Sequence, residues 1–168
     1  MQLTTARFDA MPEGEAVALL LECCSSRTWA HSVAAARPFG SRTVLLATAA
    51  AAAENLDGDD LDEALAGHPR IGERTEDATS RREQSAVTGA DTDILNRLAA
   101  GNRAYEERFG HVYLVRAAGR TAPELLEILE RRLGNDPDTE KTEMRTALAE
   151  ITRLRLERLV TDTAGSRA

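Results

Sequence analysis

The sequence has few aromatic residues, few positive charges, two cysteines and no long apolar run, and each shortage excludes a class of protein. Aromatics make up 4% of the 168 residues while hydrophobic residues make up 42%, so a core must be built mainly from Ala, Leu, Val and Ile. Ala and Leu are strong helix formers, which tilts the composition towards an all-α fold. Lys and Arg number 21 against 28 Asp and Glu, for a formal net charge of -7. Binding nucleic acid or an anionic membrane surface requires a basic patch to neutralise phosphates, so neither partner is expected. The alanine-rich stretch Val44–Ala53 is closed by Glu54 and Asn55, far short of the roughly 20 apolar residues that cross a bilayer.

Further absences bear on chemistry and compartment. Cys23 and Cys24 are neighbours, and a bond between adjacent residues is strained, so reduced thiols in a reducing compartment are expected. The first residues, MQLTTAR, lack the cationic and apolar regions of a secretory signal, so the expected location is cytoplasmic. The histidines stand at 31, 68 and 111 with no i,i+4 pair, and no second thiol pair exists. No zinc pattern results, and no metal is expected. The phosphate-loop, dinucleotide and nucleophile-elbow motifs are missing too, so an enzyme built on this chain works without the common cofactors.

What is present is helical periodicity. Apolar residues recur at helical spacing from Pro12 to Cys24, and a second element starts at a Ser25 or Ser26 cap and ends at Pro38, with Trp29 as core anchor. Ser41–Leu56 reads as a capped helix, and a short helix after Asp57 ends near Leu65 and Ala66, with Gly67 as a left-handed stop. Ala90–Phe109 is a long amphipathic helix. Residues 111–119, HVYLVRAAG, favour strand but have no second strand to pair with, so they are expected as an extended segment. Thr121 and Glu124 form a capping box ahead of a helix through Leu133, and Thr139–Val160 closes the fold. The expected architecture is one all-α domain, residues 1–162, a bundle of about seven to eight helices with one extended active-site segment, followed by a disordered tail at 163–168.

Residues 66–87, AGHPRIGERTEDATSRREQSAV, interrupt this helical pattern with clustered polar groups. Taken singly they have ordinary explanations. His68 can sit at a helix end, stabilised by the dipole. Ser80 and Glu83 match a capping box. Gln84 has no such explanation.

Taken together they carry a resemblance. GHPRIGE at 67–73, SRREQ at 80–84 and FGHVYLVRAAGRT at 109–121 resemble, in order and spacing, the signature set of the 2-oxo-4-hydroxy-4-carboxy-5-ureidoimidazoline (OHCU) decarboxylases. FDAMP at 8–12, CCSSRTW at 23–29 and ARPF at 36–39 extend the similarity over nearly the whole chain. The resemblance implies an all-α fold, a homodimer, no cofactor, and decarboxylation of OHCU to (S)-allantoin in urate catabolism. It implies His68 as catalytic histidine and Glu83 as its acidic partner. Pro69, Ser80, Arg81, Arg82 and Gln84 would contact substrate, as would the backbone strip Tyr113, Leu114, Val115, Arg116 and Ala117. Arg116 or Arg120 would face the carboxylate. Thr79 stands where many members have tryptophan, and Ser85 and Ala86 replace a common Ala-Gly pair. Two other readings of the same residues are a noncatalytic helical interaction module and a hydrolase of a related ureide.

Overall fold

The computed structural model describes residues 2–73 and 75–162; the tail expected to be disordered, 163–168, lies outside the described residues. Among the described residues the chain forms ten helices and one two-residue strand pairing, so the all-α expectation holds with more helices than the spacing suggested. The additional ones are short. They are α1 (Thr5–Ala10), α6 (Ala78–Glu83) and α7 (Ser85–Thr88), each too brief for a full apolar stripe to show in the sequence. The others are α2 (Glu13–Leu21), α3 (Arg27–Ala35), α4 (Arg42–Glu54), α5 (Gly58–Ala66), α8 (Thr92–Phe109), α9 (Ala122–Arg132) and α10 (Pro137–Leu159). Among the described residues no helix is long and apolar enough to cross a membrane.

The described chain divides into two compact units, one made of residues 2–67 and 148–162, the other within His68–Ala147. In the first unit, serine oxygens cap two helices: Ser26 accepts from Trp29 N–H at 3.1 Å and Ser41 from Val44 N–H at 3.3 Å. Trp29 is 1% exposed, and its indole N–H donates to the Ala49 carbonyl at 2.9 Å, fixing α3 on α4. Strands β1 (Leu3–Thr4) and β2 (Val160–Thr161) pair in parallel, Leu3 opposite Val160. Arg42 donates to the carbonyls of Glu157 and Val160 and so satisfies the orphan acceptors at the end of α10.

Gly67 corrects an expectation. It caps α5 at φ -80° and not in the left-handed region. Glycine is needed there for space, since a Cβ would stand 2.0 Å from Ser25 Oγ. The thiols of Cys23 and Cys24 are free and buried, and burial pushes Cys23 up to about 12, so it stays neutral.

The second unit is organised by α8 and α9. Leu98 and Tyr105 of α8 pack with Leu125, Leu126 and Leu129 of α9 and with Tyr113 and Val115 from the segment between them. Each of the fully buried leucines contributes about 1.5–3 kcal/mol by removal from water. Gly110, at φ 78°, ends α8 in the left-handed conformation. The expected Thr121 capping box is present, with Thr121 Oγ1 accepting from Glu124 N–H and the Glu124 carboxylate accepting from Thr121 N–H. Residues 112–117 belong to neither helix nor strand.

Candidate active site

The His68 turn begins where α5 has ended, and Pro69 prevents the helix from continuing. His68 is 9% exposed, Pro69 half-buried and Ile71 buried. Gly72 has φ +88°, a conformation that a side chain would strain. One peptide unit of this turn is held on both edges. The Ile71 carbonyl accepts from Asn102 Nδ2 of α8 at 2.8 Å, and the Gly72 N–H donates to Gln84 Oε1 at 3.0 Å. Outside this clamp, exposed Arg70 donates to both carboxylate oxygens of Glu106.

The segment 80–84 is placed by a cap that the sequence reading assigned elsewhere. Asp77, not Ser80, is the N-cap of α6: its carboxylate accepts from Ser80 N–H at 2.6 Å. Ser80 therefore lies inside the first turn with 2% exposure, and Glu83 is the last residue of α6, half-buried. The Ser80–Glu83 capping box is thus overturned, because a carboxylate three residues earlier takes the cap. Gln84 follows at 8% exposure, at the junction of α6 and α7.

A cavity of about 450 Å³ opens between these segments, lined by Gly72, Glu73, Thr75, Glu76, Arg81, Gln84, Val87 and Leu95. Of the expected contacts, Arg81 and Gln84 are on this wall. His68, Ser80, Glu83 and the strip at 113–117 are not among its described lining. Arg82 is exposed. A smaller cavity of about 220 Å³ is lined by Arg70, Ile71 and Asn102 and shares Gly72, Glu73 and Leu95 with the larger one.

The strip Tyr113–Ala117 is positioned by a buried polar group of residues. Tyr113, Leu114, Val115 and Ala117 are buried, and the Tyr113 hydroxyl donates to the Leu125 carbonyl at 3.1 Å. The Tyr113 side chain is thus committed to the core. Arg132, 2% exposed, donates through Nη1 to the Leu114 carbonyl at 2.7 Å. Its Nε donates to Glu140 at 2.9 Å, and its guanidinium lies 5.0 Å from the Tyr113 ring centre. The Tyr105 hydroxyl also donates to Glu140. Burial holds both phenols far above the usual tyrosine range, so neither serves as an acid or base near neutrality. Arg116 is half-buried and donates to the Ala118 carbonyl at 2.7 Å, while Arg120 donates to the Arg116 carbonyl at 3.4 Å.

Sequence reasoning missed Asn102, Arg132 and Glu140 as supports. A signal existed for two of them. Asn102 interrupts the stripe Leu98, Tyr105 on α8, and Arg132 continues the stripe Leu125, Leu129 on α9. A polar residue on an apolar stripe must find a buried partner.

A tight turn tied to a buried glutamine and opening on a cavity of about 450 Å³, all on a helical scaffold, marks a helical protein with a pocket for a small polar molecule. The chain belongs to the OHCU decarboxylase family, whose model matches residues 9–157. It is similar to the uric acid degradation bifunctional protein TTL of Arabidopsis thaliana, 29% identical over 84% of this chain, and it spans 46% of that protein's length. It is also similar to the 2-oxo-4-hydroxy-4-carboxy-5-ureidoimidazoline decarboxylase of Haloferax volcanii, 28% identical over 89% of this chain and 90% of the other. Among solved structures, an OHCU decarboxylase crystallised in the presence of (S)-allantoin superposes with a TM-score of 0.72 at 28% identity, covering 83% of this chain and 94% of that one.

Proposed function

We propose that this chain decarboxylates OHCU to (S)-allantoin and that its active site is the His68 turn together with residues 80–84. The observation that carries the proposal is the hydrogen bond from Gly72 N–H to Gln84 Oε1, which ties the two signature segments together across twelve residues. Family membership supports the choice of reaction.

The chemistry suits a site of this kind. In OHCU one ring carbon bears a carboxylate and a hydroxyl and adjoins an imine-like carbon. As the bond to the carboxylate breaks, its electron pair moves into the ring and CO₂ leaves, so the electron sink is in the substrate and nothing is oxidised or reduced. The electron pair passes through the new ring double bond onto the imine nitrogen, which takes up one proton from solvent; the hydroxyl proton is lost as its carbon becomes a carbonyl, and the neighbouring carbon gains a proton on one face. His68 suits both transfers because an imidazole titrates near working pH. Glu83 orients the ring and favours the imidazolium.

Pro69 shapes the turn under the substrate, while Ser80 and Gln84 hydrogen-bond its ring and ureido groups. Arg81 and Arg82 at the end of α6 attract the anion, and Arg116 or Arg120 neutralises its carboxylate beside the backbone of 113–117. The enzyme acts as a homodimer in the cytoplasm, a location that its free buried thiols support. The test is chiral monitoring of substrate freshly generated from urate. Faster appearance of (S)-allantoin alone, with CO₂ release, is expected; ring opening without CO₂ would replace the reading with a hydrolase.

A further inference from the structure

We infer that Asn102 is a positioning residue for this site, acting through a single peptide unit to fix which face Gln84 turns to the substrate. The inference rests on the proposed decarboxylase reading for its kinetic consequence, but its geometry stands without it. The Ile71 carbonyl and the Gly72 N–H belong to one planar peptide. Asn102 Nδ2 takes the carbonyl edge at 2.8 Å, and Gln84 Oε1 takes the N–H edge at 3.0 Å.

Neither amide can be turned over. A carbonyl must meet an N–H and an N–H must meet an oxygen, so the backbone assigns both ends of both side chains. With Oε1 held by Gly72, Gln84 presents its NH₂ group as the end left for a ligand. Because Gln84 also lines the 450 Å³ cavity, that wall offers hydrogen-bond donors. It therefore selects an acceptor on the substrate, a carbonyl or carboxylate oxygen, and disfavours a ureido NH₂ at the same place. Gly72 contributes by conformation, since at φ +88° the chain leaves this peptide in a direction that a side chain would strain. Asn102 is 5% exposed and Gln84 8%, so water competes little for the buried Asn102–Ile71 bond, whereas the bond from exposed Gly72 to Gln84 is part-buried and leans on that anchor.

The dependence is sequential. Without Asn102 the peptide loses its carbonyl anchor and rotates more freely, the Gly72 N–H leaves Gln84, and the amide turns between its two faces. Catalysis of the proton transfers would be untouched, so the loss should fall on KM and not on kcat.

The experiment is a double-mutant cycle of Asn102→Ala and Gln84→Ala, read in two ways. In the free ¹⁵N-labelled protein, Gly72 N–H exchange and the Gln84 side-chain NH₂ signals are followed. Asn102→Ala is expected to speed Gly72 exchange at least about tenfold and to broaden or merge the Gln84 signals. With OHCU, each single variant is expected to raise KM about tenfold with kcat within about twofold, and the double variant to be no worse than Gln84→Ala alone.

Additive KM effects, or unchanged Gly72 exchange, would overturn the positioning role. If Asn102→Ala does not fold, Asn102→Ser and the wild-type protein carry the same readouts. In the wild type, slow Gly72 exchange and Gln84 NH₂ signals that shift on adding (S)-allantoin are expected, and fast exchange or unshifted signals would overturn the inference. A wild-type protein inactive on OHCU would remove the reaction assigned above while leaving the exchange result to judge the clamp.

Discussion

Arg132 and Glu140 meet inside the unit His68–Ala147, Nε to Oε1 at 2.9 Å, with side chains 2% and 0% exposed. Removing one partner strands the other as an uncompensated buried charge. Arg132→Met and Glu140→Leu should each lower the unfolding free energy by about 3–5 kcal/mol, and the double substitution should cost clearly less than their sum. Urea unfolding of the four proteins measures this. Strict additivity would mean that the two side chains act independently.

His68→Asn should fold with nearly wild-type stability, because the turn is anchored at Ile71 and Gly72 and not through the imidazole alone. Turnover should fall about 10²–10⁴-fold, the usual contribution of a general acid–base group. Circular dichroism and initial rates on one preparation check both halves. Wild-type turnover would return His68 to a helix-end role.

Glu83→Gln separates cap from catalyst. Since Asp77 caps α6, the neutral amide at 83 should leave the melting temperature nearly unchanged while turnover drops at least about tenfold. Asp77→Ala should do the reverse to stability, costing about 1 kcal/mol through the lost cap. Equal turnover in Glu83→Gln and wild type would remove the carboxylate from the mechanism.

Acid stability should report on Glu143. Hydrogen bonds from Arg131, at 2.7 and 2.9 Å, are the main reason its carboxyl is lowered from 4.5 to about 2. A depressed carboxylate pKa stabilises the fold above the unfolded value, and that contribution is lost as pH falls from about 4.5 through about 2. Glu143→Gln should therefore lower stability at neutral pH and show a shallower decline across this window. Chemical unfolding from pH 2 to 7 tests it, with parallel curves for the two proteins as the contrary outcome.

Much of this fold was legible because its helices declare themselves locally. Ser41, Thr121 with Glu124, and Gly110 each mark a boundary through a bond made within a few residues. That the strip at 112–117 lies outside both helix and sheet was legible by elimination, its strand-favouring residues having nothing nearby to pair with. The failures share a cause in competition or distance. Asp77 outcompetes Ser80 for one cap, and no local rule ranks two good caps three residues apart. Gly67 is explained by Ser25, forty-two residues away. The β1–β2 pairing joins residues nearly the full chain apart, with two residues per strand to announce it. At the site, motif order brought His68, Glu83 and Gln84 forward, whereas Asn102 and Arg132 stand outside those motifs and only their places on apolar stripes single them out.

The placement of Trp29 has a spectroscopic consequence. The chain has one tryptophan and two tyrosines. Trp29 lies in the unit formed by the two ends of the chain, and both tyrosines, Tyr105 and Tyr113, lie in His68–Ala147. Indole emission on selective excitation therefore reports melting of one half, while tyrosine absorbance reports the other. The wild-type protein carries two built-in optical probes, and comparing their transitions reveals whether the halves unfold together or in turn.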